Sequence, residues 1–249
     1  MNSKKIIGFY GYPPRAFTET IRCKYPFHEW IDLDVDLGSP ESEILPDNYC
    51  RILRNIMDNV IFLKDRIDLI VTSTGSEKCD GGRFLSHLLS EMGFHVVDTR
   101  NDSFENTEFP ALIDVPISKS ALPLDKKVEL IMDTVLEDSA CEYEETQPTC
   151  GFWGVPPHDF DLLKLFPDTA HVYGWTRCVE AERPADINLE CYVDPGVPTV
   201  FFVQSFCAKS QLARWLAAKY GGLFIDVDGS IGMGTRAKID AFLELNKAK

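Results

Sequence analysis

Two rhythms of apolar residues alternate along this chain. Short runs rich in β-branched and aromatic residues, "KKIIGFY" (4–10), "IDLIVTST" (67–74) and "TVFFVQSF" (199–206), have the length of buried strands. Between such runs, apolar positions recur three and four residues apart. In "NYCRILRNIMDNVIFLKDR" (48–66), Ile52, Leu53, Ile56, Met57, Val60 and Leu63 share one helical face. The pattern predicts further strands in "EWIDLDVDL" (29–37), "FHVVDT" (94–99), "TCGFWGV" (149–155), "HVYGWTRC" (171–178) and "GLFIDVD" (222–228). Helices are predicted in 14–25, 81–93, 123–138, 158–166, 210–221 and 236–246. The stretch 180–198, with Pro184, Pro195 and Pro198, predicts no long helix. Alternating β and α with short apolar strands predicts an α/β fold with parallel sheets covered on both faces.

The order of elements runs through twice. "GFYGYPP" (8–14) returns as "GFWGVPP" (151–157), and residues 8–28 face 151–171 without a gap. Seven of these 21 positions are identical, from Gly8/Gly151 to His28/His171. Further on, Cys79–Asp98 faces Cys207–Asp226, again without a gap, matching Cys79/Cys207, Leu88/Leu216, Gly93/Gly221 and Asp98/Asp226. Both matches fall in the same chain order, the signature of an internal repeat. The reading is of two tandem, duplicated α/β units related by pseudo-twofold symmetry, with a cleft between them. The first repeat is assigned to 1–138, an acidic linker to 139–149 and a second, shorter repeat to 150–249.

Charge and cysteine content narrow the functions open to such a chain. The formal charge is −14, and no basic patch offsets it, which disfavours nucleic acid as a partner. No apolar run is long enough to span a membrane, and "MNSKKIIGFYGY" reads as a first strand, not a secretion signal. The eight cysteines contain no C-x-x-C pair, so reduced thiols in a cytoplasmic protein are expected. The acidic stretch 136–148 holds five acids and no base.

In open parallel sheets, ligands bind beyond the carboxyl ends of the strands. The heptad tips follow each unit's first strand, which makes Tyr10, Gly11, Trp153 and Gly154 candidates for a binding surface. A glycine there permits positive φ or close approach of a ligand, and the prolines stiffen the turn. Opening the next helix is the simpler role for Pro-Pro. Thr72, Ser73 and Thr74 end the third strand, and Ser205 holds the comparable place; hydroxyls there bind anions or cap a helix. Cys79 and Cys207 sit in polar loops before helices, where backbone N–H groups favour a thiolate. Burial as inert thiols is the common alternative. Arg177 and Cys178 are placed at the end of a strand, Arg177 as a carboxylate clamp or as a surface ion-pair partner of Glu180 and Glu182. His158 follows Pro157 at the same edge, opposite Arg15 in the first repeat. His28 and His171 are placed at the other edge. Asp98 and Asp226 end matching strands, as acid–base groups or simple caps. The 226–236 segment is a candidate flap. Neither G-x-G-x-x-G nor the Walker pattern is present.

Two α/β halves of a chain of 249 residues, each with one thiol after its central strand, resemble the layout of the aspartate/glutamate racemase superfamily. The thiols of that family lie in Cys-Asn-Thr and Gly-Cys-Thr contexts, where this chain has "VTSTGSEKC" and "VQSFC". The resemblance implies a cofactor-independent isomerase or lyase in which Cys79 and Cys207 exchange a proton of a small acid.

The expected function is a cytosolic small-molecule enzyme that binds an anionic metabolite between its halves and uses cysteine-based proton transfer or thiol chemistry. No cofactor is expected on this reading. An iron–sulfur or metal protein with Cys79, Cys178 and Cys207 as ligands is the first alternative. A non-catalytic binding or interaction module is the second, and a homo-oligomer is compatible with each.

Overall fold

A computed structural model of the chain describes residues 4–101, 108–136, 142–228 and 231–246. The chain divides into two compact units, 1–103 and 104–249.

In the first unit the strands are β1 (Ile6–Tyr10), β2 (Glu29–Asp32), β3 (Ile67–Ser73) and β4 (Val96–Thr99). They form one parallel sheet in the order β2-β1-β3-β4. Helices α1 (Arg15–Lys24), α2 (Arg51–Leu63) and α3 (Asp80–Glu91) make the crossovers. The central strand β1 is buried at every position, which explains its unbroken apolar run. On one face Ile6, Tyr10 and Ile70 pack against Leu53, Ile56, Met57, Val60 and Leu63 of α2 and Leu85 and Leu89 of α3. The helical stripe read from the sequence is therefore the core stripe, with Ile52 at its half-buried margin. Each such side chain contributes about 1.5–3 kcal/mol on burial.

Polar groups on α2 hold the chain that follows β2. The Asn59 amide donates to the carbonyls of Leu33 (3.1 Å) and Val35 (2.8 Å). Asp58 accepts the N–H of Ser42 at 2.8 Å. The residue between the two gripped carbonyls, Asp34, is thereby fixed beside the end of β1.

The second unit contains α4 (Leu124–Asp133), β5 (Cys150–Trp153), β6 (Ala170–Tyr173), α5 (Trp175–Glu180), α6 (Ile187–Cys191), β7 (Thr199–Gln204), α7 (Ser210–Tyr220), β8 (Leu223–Val227) and α8 (Met233–Asn246), with a 3₁₀ helix at Phe160–Leu165. Its parallel sheet runs β6-β5-β7-β8, the same order as in the first unit.

The unit boundary differs from the sequence reading, which placed 123–138 in the first repeat. Helix α4 packs on β6, α5 and the 3₁₀ helix of the second unit. Its buried Lys127 donates to the carbonyls of Asp168 (2.8 Å) and Ala170 (2.6 Å). The stretch before α4 also belongs there: Ser118 O accepts the N–H of Val172 on β6 at 3.0 Å, and Glu180 accepts the N–H groups of Ile117 (2.6 Å) and Ser118 (2.9 Å). Residues 139–141 of the proposed linker, 139–149, lie outside the described residues. No helix among the described residues is long and apolar enough to cross a membrane.

Candidate functional site

In each sheet the chain first moves from the inner strand to one neighbour and then crosses back to the other side. The carboxyl ends of β1 and β3, and of β5 and β7, therefore flank a topological switch point, where open α/β sheets hold ligands. Both proline heptads end at such a point.

At the first switch point four residues converge. Gly11 follows β1 with φ +75°, and a Cβ there would lie 2.6 Å from Lys78 Cε and Nζ and 3.0 Å from Ser73 Cβ. The Gly11 N–H donates to Asp34 Oδ2 at 2.5 Å. The Lys78 stem lies along Gly82 in the first turn of α3, and its ammonium stands 5.3 Å from the Tyr10 ring centroid. Among the described residues Lys78 makes no ion pair within 4.0 Å. Two polar atoms beside it lack partners: Ser73 Oγ, on a fully buried residue, and the buried Oδ1 of Asp34. A third is Glu77 Oε2, while its other oxygen accepts the Gly75 N–H at 3.1 Å. Burial raises the Glu77 carboxyl above its ordinary range. A positioned cation, an unbonded hydroxyl and a glycine that leaves room for both can hold an anion.

The second switch point is closed by its own side chains. Gly154 is not in a left-handed conformation; a Cβ there would meet the Phe202 carbonyl oxygen at 2.8 Å, so the glycine serves close backbone packing. The Trp153 indole N–H donates to Glu190 O at 2.8 Å, and the Glu190 carboxylate is paired with Lys209. Gln204 donates to Pro156 O at 3.2 Å. A shallow pocket remains beside it, lined by Pro157, His158, Asp159, Phe202, Gln204 and Val227.

Tyr10 is fully buried, its hydroxyl donates to Gly82 O at 2.9 Å, and burial together with nearby Asp34 holds its phenol above the ordinary value. Trp153 is likewise a core residue, so both heptad aromatics build the interior. Pro14 precedes α1 directly, and Pro157 stands two residues before Asp159, which caps the 3₁₀ helix. Thr72 donates to Asp98 Oδ1 at 2.5 Å, and Ser205 donates to Asp226 Oδ1 at 2.7 Å, which ties those hydroxyls to the neighbouring strand. Thr74 is half-buried and reaches Thr99 O at 3.4 Å. Cys79 is exposed and is the residue just before α3. Cys207 stands three residues before α7 and packs partly buried against its apolar cluster. His28 pairs with Asp68 at 2.9 Å, and His171 bonds Thr146 O at 2.8 Å.

Arg177 and Cys178 do not end a strand. They lie in α5, because Gly174, at φ +75°, ends β6 and turns the chain into a helix. Arg177 is buried between the rings of Tyr173 (4.8 Å) and Tyr192 (5.2 Å) and donates to the carbonyls of Leu189 (2.8 Å) and Tyr192 (2.7 Å). It stitches the end of α6 and is not a ligand clamp. Its expected surface partner Glu180 instead binds the backbone of Ile117 and Ser118. Cys178 is fully buried with Ile113, Val115 and Leu189, and burial raises its thiol well above the ordinary value.

Lys78 and Asp34 were not singled out from sequence. Lys78 directly precedes the candidate Cys79, which was the available signal; Asp34 was hidden in the alternation of "DLDVDL". Among the described residues no group of three or more His, Cys, Asp or Glu side chains is placed to hold a metal ion. No protein-family model matches the chain, and no curated protein matches it.

Proposed function

We propose that the chain is a cytosolic enzyme of small-molecule metabolism that binds an anionic metabolite at the carboxyl edge of the first sheet. Lys78 and Ser73 hold the anion. Cys79, exposed and next to Lys78 in the chain, supplies proton transfer or thiol chemistry. The observation that carries this reading is the convergence at Gly11 of a lysine and a buried serine hydroxyl that, among the described residues, have no ion pair and no hydrogen-bond partner respectively. Buried polar groups are nearly always satisfied, so an orphan at a switch point marks a place for a ligand. The resemblance of the sequence layout to that of the racemase superfamily supports proton transfer as the reaction type. The seven described cysteines form no disulfide, which supports a reducing compartment. The matched strand orders support descent from one duplicated unit.

The test is deuterium exchange. The full chain is incubated in D₂O with a panel of small carboxylic and phosphorylated metabolites, and C–H signals are followed by NMR. At least one compound is expected to exchange, with the rate falling about 10²-fold or more in Cys79→Ser. Exchange that persists unchanged in Cys79→Ser, or an absence of exchange across the panel together with an inert Cys79 thiol, sinks the proposal.

A further inference from the structure

Resting on the anion site just proposed, we infer that this site is built for a carboxylate and discriminates against phosphate.

Three observations carry the inference. The first is that the backbone N–H groups of Gly11, Thr74 and Gly75, at the ends of β1 and β3, are already taken. Phosphate sites in α/β folds are lined by N–H groups. Here Gly11 N–H is taken by Asp34, Thr74 N–H by Thr99 O, Gly75 N–H by Glu77, Lys78 N–H by Gly75 O and Gly82 N–H by Cys79 O. Pro13 and Pro14 have no N–H to offer. The side-chain donors at the seat are the Lys78 ammonium and the Ser73 hydroxyl, a pair that suits the two oxygens of a carboxylate.

The second is charge. Asp34 touches the same glycine as Lys78, and one of its carboxylate oxygens is buried without a partner. A doubly charged phosphate beside it is repelled about twice as strongly as a singly charged carboxylate.

The third is the other unit, which displays the complex from its own parts. Lys209 lies in the loop after β7, two residues beyond Cys207, as Lys78 lies in the loop after β3, one residue before Cys79. Lys209 is paired with the carboxylate of Glu190, whose main chain is held by Trp153, the counterpart of Tyr10 in the heptad. In the second unit the loop lysine is satisfied by a side-chain carboxylate; in the first unit, among the described residues, no carboxylate pairs with Lys78 within 4.0 Å.

The experiment titrates the full chain with propionate and, separately, with inorganic phosphate at fixed ionic strength. Calorimetry gives affinity, and the amide NMR shifts of Gly11, Ser73 and Lys78 locate the site. Propionate is expected to bind about tenfold more tightly than phosphate, and Lys78→Met to weaken it by about tenfold or more. Lys78→Met keeps the apolar stem over Gly82, and Lys78→Gln provides a second variant should the first not fold. Phosphate binding as tightly as propionate at the same amides, with both lost in Lys78→Met, overturns the carboxylate inference while the anion site stands. Amide shifts that stay still with either anion, or binding that ignores both Lys78 variants, overturn the two together.

Discussion

Thr72 Oγ1 donates to Asp98 Oδ1 across 2.5 Å, which ties the carboxyl end of β3 to β4. Ser86 on α3 donates to the same oxygen, so one carboxylate gathers two strands and a helix at the edge that carries the candidate site. Thr72 and Ser86 are both buried. Asp98→Ala therefore removes the shared acceptor of two buried hydroxyls, leaving them only their mutual contact at 3.3 Å, and is expected to cost about 1–3 kcal/mol in urea denaturation. Thr72→Val removes one donor and leaves the other bonded, so its cost is expected to be about 1 kcal/mol. Equal costs for the two substitutions would show that Asp98 is not the hub.

The two heptad glycines separate stability from binding. Gly11→Ala places a side chain at φ +75°, at a cost of about 1–2 kcal/mol, and pushes its methyl into Lys78. Gly154→Ala meets the Phe202 carbonyl, which cannot swing away, at a cost of about 1–3 kcal/mol. Both variants are expected to melt earlier, but only Gly11→Ala is expected to lose propionate binding. A Gly11→Ala protein that binds normally is the contrary result.

Lys127 sets a pH dependence of opposite sense to that of a salt-bridged lysine. Burial lowers its ammonium from 10.5 to about 8. Between these values the unfolded chain carries the proton and the folded chain does not. Stability gains from this group as pH rises from about 8 to 10.5, and the cost of burying the charge is fully present below 8. Chemical denaturation of Lys127→Met across this range is expected to lack that upward component. An identical slope in the variant and the parent contradicts the assignment.

Thiol labelling orders the cysteines. Cys23 and Cys79 are exposed and are expected to react with iodoacetamide under native conditions. Cys150, whose thiol burial pushes up to about 12, and fully buried Cys178 are expected to react only on unfolding. Peptide mass spectrometry reads this directly, and early labelling of Cys178 would contradict its place on the buried face of α5.

Much of the fold was legible because burial and periodicity coincide. The runs that became β1, β3 and β7 are apolar because parallel inner strands are covered on both faces. The stripe on α2 is apolar because it is the core. What escaped depended on contacts distant in sequence. "HVYGWTRC" has the residues of a strand, yet Gly174 breaks it and the rest coils into α5 around a buried Arg177. Helix α4 follows the first unit in sequence but is bound to the second by Lys127 and the backbone of Asp168 and Ala170. In the candidate site, Gly11 and Ser73 were legible from their place at strand ends. Asp34 and Lys78 were not, because their roles come from a hydrogen bond to one glycine and a side chain laid across another. The aromatic residues at the heptad tips looked like ligand platforms; they are buried because both inner strands are covered on both faces, so that every position is interior.

The indole of Trp153, sealed in the second unit with its N–H bonded to a carbonyl, gives the chain its own optical label. Of the four tryptophans only Trp30 belongs to the first unit, where it is half-buried beside Phe9, while Trp215 is largely open to solvent. Emission near the blue edge thus reports on one half of the molecule, and an aqueous quencher such as iodide silences Trp215 first. Folding of the two halves can be followed separately, in one cuvette, without attaching a dye.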